Sequence, residues 1–455
     1  MEALNNAFIE QLKEILPESY QELIQTLDGE APVSVRLNPS KKAELDLPLE
    51  ERIPWTSMGY YLKKRPSFTL DPLFQAGAYY VQEASSMLIE QALVQVLDQN
   101  QAVRALDLCA APGGKSTLLS SLLPQDSLLV TNEVIGSRYK ILIENMQKWG
   151  QCNQVVTNHD AKDFQNLKGF FDLLLIDAPC SGEGMFRKDK NSRSEWSENN
   201  VNLCSARQRR ILGETSELLR EDGILIYSTC TYNREENEQN VRWLQDEFEM
   251  ELCPLDLDER WGLEDTGYGY QAFPHRCKGE GFFMAVLRKT SPSSRKKIKH
   301  KKGKGPKGLD FISKKEADSV SGYFKTPEQL CFYINHKEEL CFIPANLKKD
   351  IDFLCQQLYR YTAGTTAGQL KHGKLIPHHA LAMSTALCPD LPAMDLDKKT
   401  ALNYLRKENI ANEEGKPQGW HLMRYEGLNL GWGKILKDRI NNYYPKHLRI
   451  RMKAD

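Results

Sequence analysis

Short apolar runs alternate with amphipathic segments through the middle of the chain, and this alternation restricts the fold more than any other feature. The pattern predicts strands at residues 105–109, 127–133, 154–160, 171–177, 224–230 and 281–289. Helix-like segments lie between them at residues 117–123, 137–149, 201–220 and 235–248. Strands and helices that alternate in this way form a parallel sheet covered by helices on both faces. We therefore predict a doubly wound α/β domain over residues 98–290.

The other residues divide into smaller modules. Residues 1–97 are predicted to form an N-terminal α+β module, with helices over 5–27 that break near Pro17, a strand at 33–39 and a helix over 77–97. A lysine-rich linker is predicted at 291–309, because residues 295–307 hold eight Lys or Arg and no acid. Residues 310–390 and 391–455 are predicted as small mixed modules, the last with short strands around glycines as in a small β-barrel.

Composition restricts the environment of the protein. A chain of 455 residues is too long for one core, and its formal net charge of −1 conceals local basic clusters. No apolar run approaches the roughly 18 residues that a membrane span needs, and the first residues lack the pattern of a signal peptide. The eleven cysteines lack paired Cys/His spacing, which predicts reduced thiols and no zinc site. We expect a cytoplasmic, monomeric protein without a metal.

A glycine loop follows the first strand of the α/β domain and is the first candidate binding site. It reads Cys109, Ala110, Ala111, Pro112, Gly113, Gly114 and Lys115. The stretch matches a P-loop at every position except the first, where Cys109 replaces glycine, so an ATPase acting on RNA is one alternative. Without that glycine the turn that wraps phosphates is lost. Glu133 and Asp160 close the next two strands, where carboxylates suit a ribose diol and an adenine amino group. We therefore predict an adenosine site that fits S-adenosyl-L-methionine.

Two cysteines follow strands of the same predicted sheet and are candidate reactive groups. Cys180 follows the strand that ends in Asp177, and Cys230 ends the next strand. A thiolate that adds to C6 of a pyrimidine makes C5 nucleophilic toward a methyl donor, and a second thiol can serve as the base for release. An acid such as Asp177 assists addition by contacting N3 of the base. One reaction thus accounts for both thiols, although their spacing leaves open which one attacks. Cys109 is expected to line the cofactor loop without reacting.

The motifs in combination resemble those of the NOP/Sun family of RNA 5-methylcytosine methyltransferases. They are CAAPGGK at 109–115, DAPCSGEGMFRK at 177–188, STCTYNREENE at 228–238, RLNP at 36–39 and YVQEASSML at 80–88. The segment GWHLMRYEGLNLGWGK at 419–434 is more loosely similar to the bacterial RsmF-like branch, which modifies 16S rRNA near the decoding centre and ends in a PUA-like domain. The resemblance implies a Rossmann-like methyltransferase domain at 98–290 and RNA-binding modules at 1–97 and 391–455.

The resemblance also implies a role for each site residue. Cys230 would be the nucleophile at C6, and Cys180 would assist release of the product. Asp177 would be shared between the cofactor and the base. The remaining cofactor residues would be the glycine loop at 109–115, Glu133, Arg138 and Asp160.

The expected substrate is 16S rRNA, within the small subunit or an assembly intermediate, and a tRNA is the alternative within the same family. Because RNA carries one phosphate per nucleotide, basic side chains near the site are candidates for its contacts. These are the lysine-rich residues 295–307 and two smaller clusters formed by Arg187, Lys188, Lys190, Arg207, Arg209 and Arg210.

Overall fold

The computed structural model describes residues 4–292, 308–412 and 415–452. The lysine-rich residues 295–307 lie outside this range, so the structure does not test their predicted role. Among the described residues, no helix combines the length and the apolar character that crossing a bilayer requires.

The N-terminal module consists of two helices followed by a small antiparallel sheet. The helices are α1 (Asn6–Ile15) and α2 (Tyr20–Leu27), separated at Pro17 as predicted. The strands are β1 (Val33–Leu37), β2 (Leu49–Arg52), β3 (Gly59–Leu62) and β4 (Tyr79–Val81), in the order β2-β3-β1-β4. Two further helices are α3 (Pro72–Ala76) and α4 (Ile89–Val96).

The single helix predicted over residues 77–97 is wrong in its first half. The aromatic and β-branched run at Tyr79–Val81 forms β4, which pairs with β1 in antiparallel register. Such residues favour a pleated surface, and pairing with a neighbouring strand outweighs the helical spacing of the sequence. The regular helix begins only at Ile89.

The central sheet is formed by alternating strands and helices, as predicted. Its strands are β5 (Arg104–Asp107), β6 (Leu128–Asn132), β7 (Gln154–Thr157), β8 (Phe171–Asp177), β9 (Leu219–Thr229), β10 (Met250–Leu252), β11 (Glu264–Asp265), β12 (Tyr270–Ala272) and β13 (Phe282–Lys289). The helices are α5 (Gly114–Leu122), α6 (Gly136–Trp149), α7 (Asn191–Glu195), α8 (Glu198–Thr215) and α9 (Glu238–Phe248).

The order of the strands places a switch point at the centre of the sheet. Strands β9, β8, β5, β6 and β7 are parallel neighbours in that order, and β13 continues the sheet beyond β9 in the antiparallel direction. The chain therefore leaves β5 toward β6 and β7, and later returns to its other side as β8. Ligands of open α/β sheets bind at the carboxyl ends of the strands beside such a reversal.

The C-terminal region forms two further sheets. The first half contains β14 (Asp310–Phe311), α10 (Lys314–Asp318), β15 (Leu330–Ile334), β16 (Leu340–Pro344), α11 (Lys348–Gln357), β17 (Tyr361–Ala363), β18 (Thr365–Lys371), β19 (Lys374–Pro377) and α12 (His379–Met383). The second half contains β20 (Ala393–Asp395), α13 (Lys398–Leu405), β21 (Ile410–Ala411), β22 (Gly419–Tyr425), β23 (Leu428–Ile435) and β24 (Arg439–Asn442). The last sheet has the order β20-β22-β23-β24-β21.

Apolar side chains cover both faces of the central sheet. On one face the sheet packs against buried residues of α4, α5 and α6, such as Leu93, Leu118 and Met146. On the other face it packs against α8 and α9 and also against Ile351 and Leu354 of α11. Strand β17 pairs with β7 and extends the same sheet. The C-terminal region thus contributes to the core of the central domain, which the sequence pattern did not indicate.

Candidate active site

Five parallel strands deliver the predicted site residues to one edge of the central sheet. The glycine loop follows β5, Glu133 follows β6, and Asp160 lies beyond the end of β7. Asp177 ends β8, and Cys230 follows β9 directly. The edge next to the switch point therefore gathers all of these residues, as the alternating pattern predicted.

The glycine loop is held by the neighbouring strand and helix. The amide of Ala110 donates to the carbonyl of Asn132 at 2.8 Å, which ties the loop to the end of β6. Gly113 has a φ of 114°, a left-handed conformation that favours glycine, and α5 begins at the next residue. Burial raises the pKa of the Cys109 thiol well above its ordinary value, so Cys109 remains protonated. A protonated thiol suits a residue that lines the loop without reacting.

Glu133 and Arg138 lie beside the loop and contact each other. One carboxylate oxygen of Glu133 accepts a hydrogen bond from the amide of Ile135 at 2.8 Å, and the other lies 3.3 Å from Nη1 of Arg138. Arg138 also donates to the carbonyl of Ala111 at 2.6 Å. Arg138 therefore links the glycine loop to the acid that follows β6.

Asp160 begins a short helical turn after β7 and binds an arginine. Its carboxylate accepts hydrogen bonds from Arg210 at 3.0 Å and from the amide of Lys162 at 3.3 Å. Partial burial acts to raise the pKa of Asp160, but these hydrogen bonds outweigh it and lower the pKa below the ordinary value. Arg210, predicted as an RNA contact, pairs with Asp160 and Glu214, and its side chain remains 47% exposed.

Asp107 is an acid of this edge that the sequence analysis missed. It ends β5, is fully buried, and accepts a hydrogen bond from the Ser116 hydroxyl at 2.6 Å. Its other oxygen has no hydrogen-bond partner among the described residues. Burial raises the pKa of Asp107 to about 7. An acid at the end of the first strand, directly before the glycine loop, was the signal in the sequence.

Asp177 connects the glycine loop with the strand that precedes Cys230. Its carboxylate accepts a hydrogen bond from Nζ of Lys115 at 2.8 Å and another from the Ser228 hydroxyl at 2.9 Å. Burial acts to lower the pKa of Lys115, but the adjacent Asp177 carboxylate raises it above the ordinary value. The lysine of the glycine loop therefore remains charged and fixes Asp177 between the two strand ends.

The two predicted reactive cysteines lie in contact. Their sulfur atoms are 3.1 Å apart, and the amide of Cys230 lies 3.3 Å from Sγ of Cys180. Both are free thiols. The hydrogen bond with Cys230, together with burial, raises the pKa of Cys180 well above its ordinary value. Cys180 therefore keeps its proton and can share it with the sulfur of Cys230.

Buried polar residues next to the cysteines escaped the sequence analysis. Glu183 follows Cys180 in one loop, and Asn233 and Glu236 follow Cys230 in the other. All three side chains are fully buried. The motif letters contained these residues, but a sequence gives no indication that an acid of one loop binds the other loop.

The basic clusters near Cys180 divide into buried and exposed side chains. The prediction that Arg187 contacts RNA phosphates is wrong, because its buried guanidinium pairs with Glu280 at 3.1 Å. Arg209 donates to the side chain of Asn240 at 3.1 Å. Lys190 and Arg207 are exposed. Among the described residues, no cluster of His, Cys, Asp and Glu side chains forms a candidate metal site.

The fold and the residues at this sheet edge define a Rossmann-like methyltransferase. A family model described as 16S rRNA methyltransferase RsmB/F matches residues 94–288. The N-terminal domain of 16S rRNA methyltransferase RsmF matches residues 4–84, and the methyltransferase RsmF PUA domain matches residues 391–450. The chain therefore belongs to the RsmF family of 16S rRNA methyltransferases.

Individual relatives agree with this placement. The chain is 32% identical to ribosomal RNA small subunit methyltransferase F of Aliivibrio fischeri strain MJ11, over 98% of this chain and 97% of that protein. The corresponding protein of Erwinia tasmaniensis is 32% identical over 97% of this chain and 96% of its own. A solved methyltransferase homologue from Pyrococcus horikoshii is 27% identical with a TM-score of 0.54, covering 63% of this chain and 95% of that one. The resemblance, the fold class and the enzyme class predicted from the motifs are confirmed.

Proposed function

We propose that the protein transfers a methyl group from S-adenosyl-L-methionine to C5 of a cytosine in 16S rRNA, through a covalent bond between Cys230 and C6 of the base. The observation that carries this proposal is the contact between the sulfur atoms of Cys180 and Cys230, 3.1 Å apart at neighbouring strand ends. Methyl transfer to an oxygen or nitrogen atom needs no nucleophilic thiol. Two thiols in contact suit a reaction that forms a covalent adduct and then breaks it.

The residues around the glycine loop fit the proposed cofactor. Glu133 offers carboxylate oxygens to a ribose diol, and Asp160 offers an acceptor to the adenine amino group. The buried oxygen of Asp107 without a partner faces no competing donor among the described residues and is available to a bound group. The glycine loop at 109–115 and Arg138 complete the set. When bound, S-adenosyl-L-methionine would supply the methyl group.

The charge around the cysteines supports Cys230 as the nucleophile. The raised pKa of Cys180 suits the sulfur that keeps the shared proton, and the family resemblance assigns the attack to Cys230. Lys115 remains charged and interacts electrostatically with Cys230. Asp177, held by Lys115 and Ser228, is proposed to contact N3 of the base and to assist the addition at C6.

Formation of the bond between Cys230 and C6 also changes how easily the Cys180 thiol ionises. The hydrogen bond with Cys230 and the charge on that sulfur contribute to the raised pKa of Cys180. Once the Cys230 sulfur is bound to C6, both contributions disappear, and Cys180 ionises more easily. A Cys180 thiolate can then remove the proton from C5, after which the bond between Cys230 and C6 breaks. The contact with Cys230 thus keeps Cys180 protonated before the attack, and the loss of that contact allows Cys180 to act as a base afterwards.

The target cytosine has to leave any base stack before a cysteine can reach C6. We propose that residues 1–97, residues 391–455 and the lysine-rich segment at 295–307 hold the RNA around it, on the small subunit or an assembly intermediate. The match of residues 391–450 to a PUA domain supports this role for the C-terminal end. The proposed setting is the cytoplasm, with the protein acting as a monomer.

Bisulfite sequencing of 16S rRNA from cells with and without the enzyme tests this function. We expect one or a few cytosines near the decoding centre to resist conversion only when the enzyme is present. Methyl transfer to purified small subunits, naked 16S rRNA and tRNA then identifies the substrate. A methyl group on another atom, or transfer to tRNA alone, contradicts the proposal.

A further inference from the structure

In each of the two loops that carry a reactive cysteine, a hydroxyl residue comes directly after the thiol. Cys180 is followed by Ser181, and Cys230 is followed by Thr231. The two hydroxyl groups lie 3.0 Å apart, in a region where both side chains are buried. The contact between the sulfurs therefore continues into a contact between the next two residues.

Glu183 of the Cys180 loop binds the loop of Cys230. Its Oε2 accepts hydrogen bonds from the Thr231 hydroxyl at 2.6 Å, the amide of Tyr232 at 2.8 Å and the amide of Asn233 at 3.1 Å. Its Oε1 accepts from the indole of Trp196 at 2.9 Å. Every contact to Glu183 comes from a donor, so both of its carboxylate oxygens act as acceptors.

Glu236, which follows Cys230, binds the loop of Cys180 in return. Its carboxylate accepts a hydrogen bond from the amide of Ser181 at 3.0 Å and one from Nε2 of Gln208 at 2.6 Å. Gln208 cannot reverse its amide without loss, because its Oε1 already accepts from Nδ2 of Asn240 at 2.8 Å. Glu236 is therefore also surrounded by donors.

One amide group connects the two carboxylates. Nδ2 of Asn233 donates to Oε1 of Glu183 at 3.0 Å and lies 2.8 Å from Oε1 of Glu236. The same nitrogen lies 2.8 Å from the Thr231 hydroxyl. Oδ1 of Asn233 accepts from the amide of Glu236 at 2.9 Å. We call Glu183, Asn233 and Glu236 the carboxylate clamp.

The carboxylate clamp costs free energy that a core of apolar side chains would avoid. Two carboxylates with 0% exposure each lose their hydration, and burial raises the pKa of Glu236 above its ordinary value. Replacing buried charged groups with packed apolar residues is often neutral or stabilising. A network of directional hydrogen bonds, unlike apolar packing, fixes backbone amides to within a fraction of an ångström. The amides that the clamp fixes are that of Ser181, directly after Cys180, and those of Tyr232 and Asn233, two and three residues after Cys230.

We propose that Glu183, Asn233 and Glu236 are positioning residues that hold the sulfurs of Cys180 and Cys230 in contact through the reaction. This inference rests on the proposed function, because contact between the sulfurs matters only if one attacks and the other assists release. Without the clamp, the two loops keep their cysteines but lose the fixed distance between them. Binding of the cofactor, on the other side of the sheet edge, does not depend on the clamp.

The variants Glu236→Gln and Glu183→Gln test the proposal in the full-length enzyme. Either substitution places an amide donor against donors and separates the loops without removing a cysteine. We expect kcat to fall by about 10²-fold, the cost of a displacement near 1 Å at a reacting centre. KM for the RNA and the affinity for S-adenosyl-L-methionine should stay at wild-type values. Glu235→Gln is the matched control, since this neighbouring acid makes none of the bonds of the clamp.

Two further measurements separate positioning from a general loss of stability. In a Cys180→Ala background, Glu236→Gln should slow formation of the covalent protein–RNA band without abolishing it. The ionisation of Cys180 seen in the pH profile of kcat/KM, which reports the free enzyme, should move to lower pH, because contact with Cys230 contributes to its raised pKa. If Glu183→Gln does not fold, Glu236→Gln and Thr231→Val still test the clamp. A folded Glu236→Gln enzyme with wild-type kcat and adduct formation overturns the proposal. A Cys180→Ala enzyme that forms no adduct with RNA overturns the proposed function instead.

Discussion

Two sides of the sheet edge hold their carboxylates in different ways. The proposed cofactor side contains Glu133 and Asp160, and the cysteine side contains Glu183 and Glu236. Glu133 and Asp160 each pair with an arginine on the protein surface, since the side chains of Arg138 and Arg210 are 49% and 47% exposed. Glu183 and Glu236 have no exposed surface and bind backbone amides and buried side chains. An exposed arginine such as Arg210 exchanges its partner for water or a ligand at little cost, because a surface ion pair contributes little free energy. Arg138 is equally exposed, although its partner Glu133 is buried. A buried hydrogen-bond network does not rearrange in this way.

The difference matches the task of each side in a catalytic cycle. In the proposed reaction the cofactor side admits and releases a small molecule at every turnover, so partners that exchange easily serve it. The cysteine side has to place one sulfur on a carbon atom and keep the other beside it. The expected effects of mutations on the two sides should differ accordingly, from loss of reaction on the cysteine side to modest changes on the cofactor side.

Cys230→Ala should have the largest effect. Without the proposed nucleophile we expect methyl transfer to fall by at least about 10³-fold, because the thiol that remains on this edge, Cys180, keeps its proton. Binding of S-adenosyl-L-methionine, measured by calorimetry, should be unchanged, since the cofactor residues follow other strands. Cys204→Ala, which removes a buried cysteine of α8, is the control. Transfer at the wild-type rate by Cys230→Ala would contradict the division of the edge into two sides.

Cys180→Ala should stop the cycle at a later step. Attack by Cys230 remains possible, but the base that removes the C5 proton is missing, so turnover should fall by about 10²–10⁴-fold. A covalent protein–RNA complex should accumulate and appear as a shifted band on a denaturing gel. The double variant Cys180→Ala, Cys230→Ala should show no such band. A single variant that turns over freely without a trapped complex would remove the release role of Cys180.

Asp107→Asn should change the pH dependence of stability. The pKa of Asp107 rises from 3.8 to about 7 on folding, so between these values the folded chain holds a proton that the unfolded chain releases. Stability is therefore lost as the pH rises from about 4 through 7, by an amount of the order of 4 kcal/mol at most. Asparagine cannot ionise, so the variant should lose less stability over this range. Urea unfolding of wild type and variant at pH 5 and pH 8 measures this difference in stability. Asp246→Asn, at an exposed position, is the control. Equal pH dependence in wild type and Asp107→Asn would contradict the prediction.

Arg210→Ala should have the smallest effect. The pair of Arg210 with Asp160 is half exposed, so its removal should change the free energy of unfolding by less than about 1 kcal/mol. The pKa of Asp160 should rise toward its ordinary value, because the arginine contributes to its lowering. If Asp160 binds the adenine amino group, loss of the competing arginine should leave cofactor affinity equal or slightly higher. A large loss of affinity in a calorimetric titration would show that Arg210 itself holds the cofactor.

The sequence was sufficient for those parts of the site that depend on strand ends. An apolar run followed by an acid or a cysteine identified Glu133, Asp177 and Cys230, because parallel strands bring their carboxyl ends to one edge. The sequence was insufficient where the partner lies far along the chain. The bonds of Glu183 to Tyr232 and Asn233 and the ion pair of Arg187 with Glu280 depend on how loops meet in the fold.

Short elements were the other source of error. The three residues of β4 are too few to show a period of two, and they precede a helix, so the whole stretch was predicted as helical. The three residues of β17 gave no signal, since a single turn of periodicity carries little information. In both cases the strand exists because a longer neighbouring strand offers it unpaired amides and carbonyls.

Strand β17 also determines when the catalytic domain can finish folding during synthesis. Its pairing with β7 joins residues 361–363 to residues 155–157. While the ribosome is still translating the residues between them, the backbone groups along this side of β7 have no partner, and an open strand edge is a template for unwanted pairing between chains. The sheet that holds the active site is therefore closed at this edge only after Ala363 has left the exit tunnel. A fragment that ends before residue 361 would contain every proposed catalytic residue, but the unpaired side of β7 would remain open to pairing with other chains.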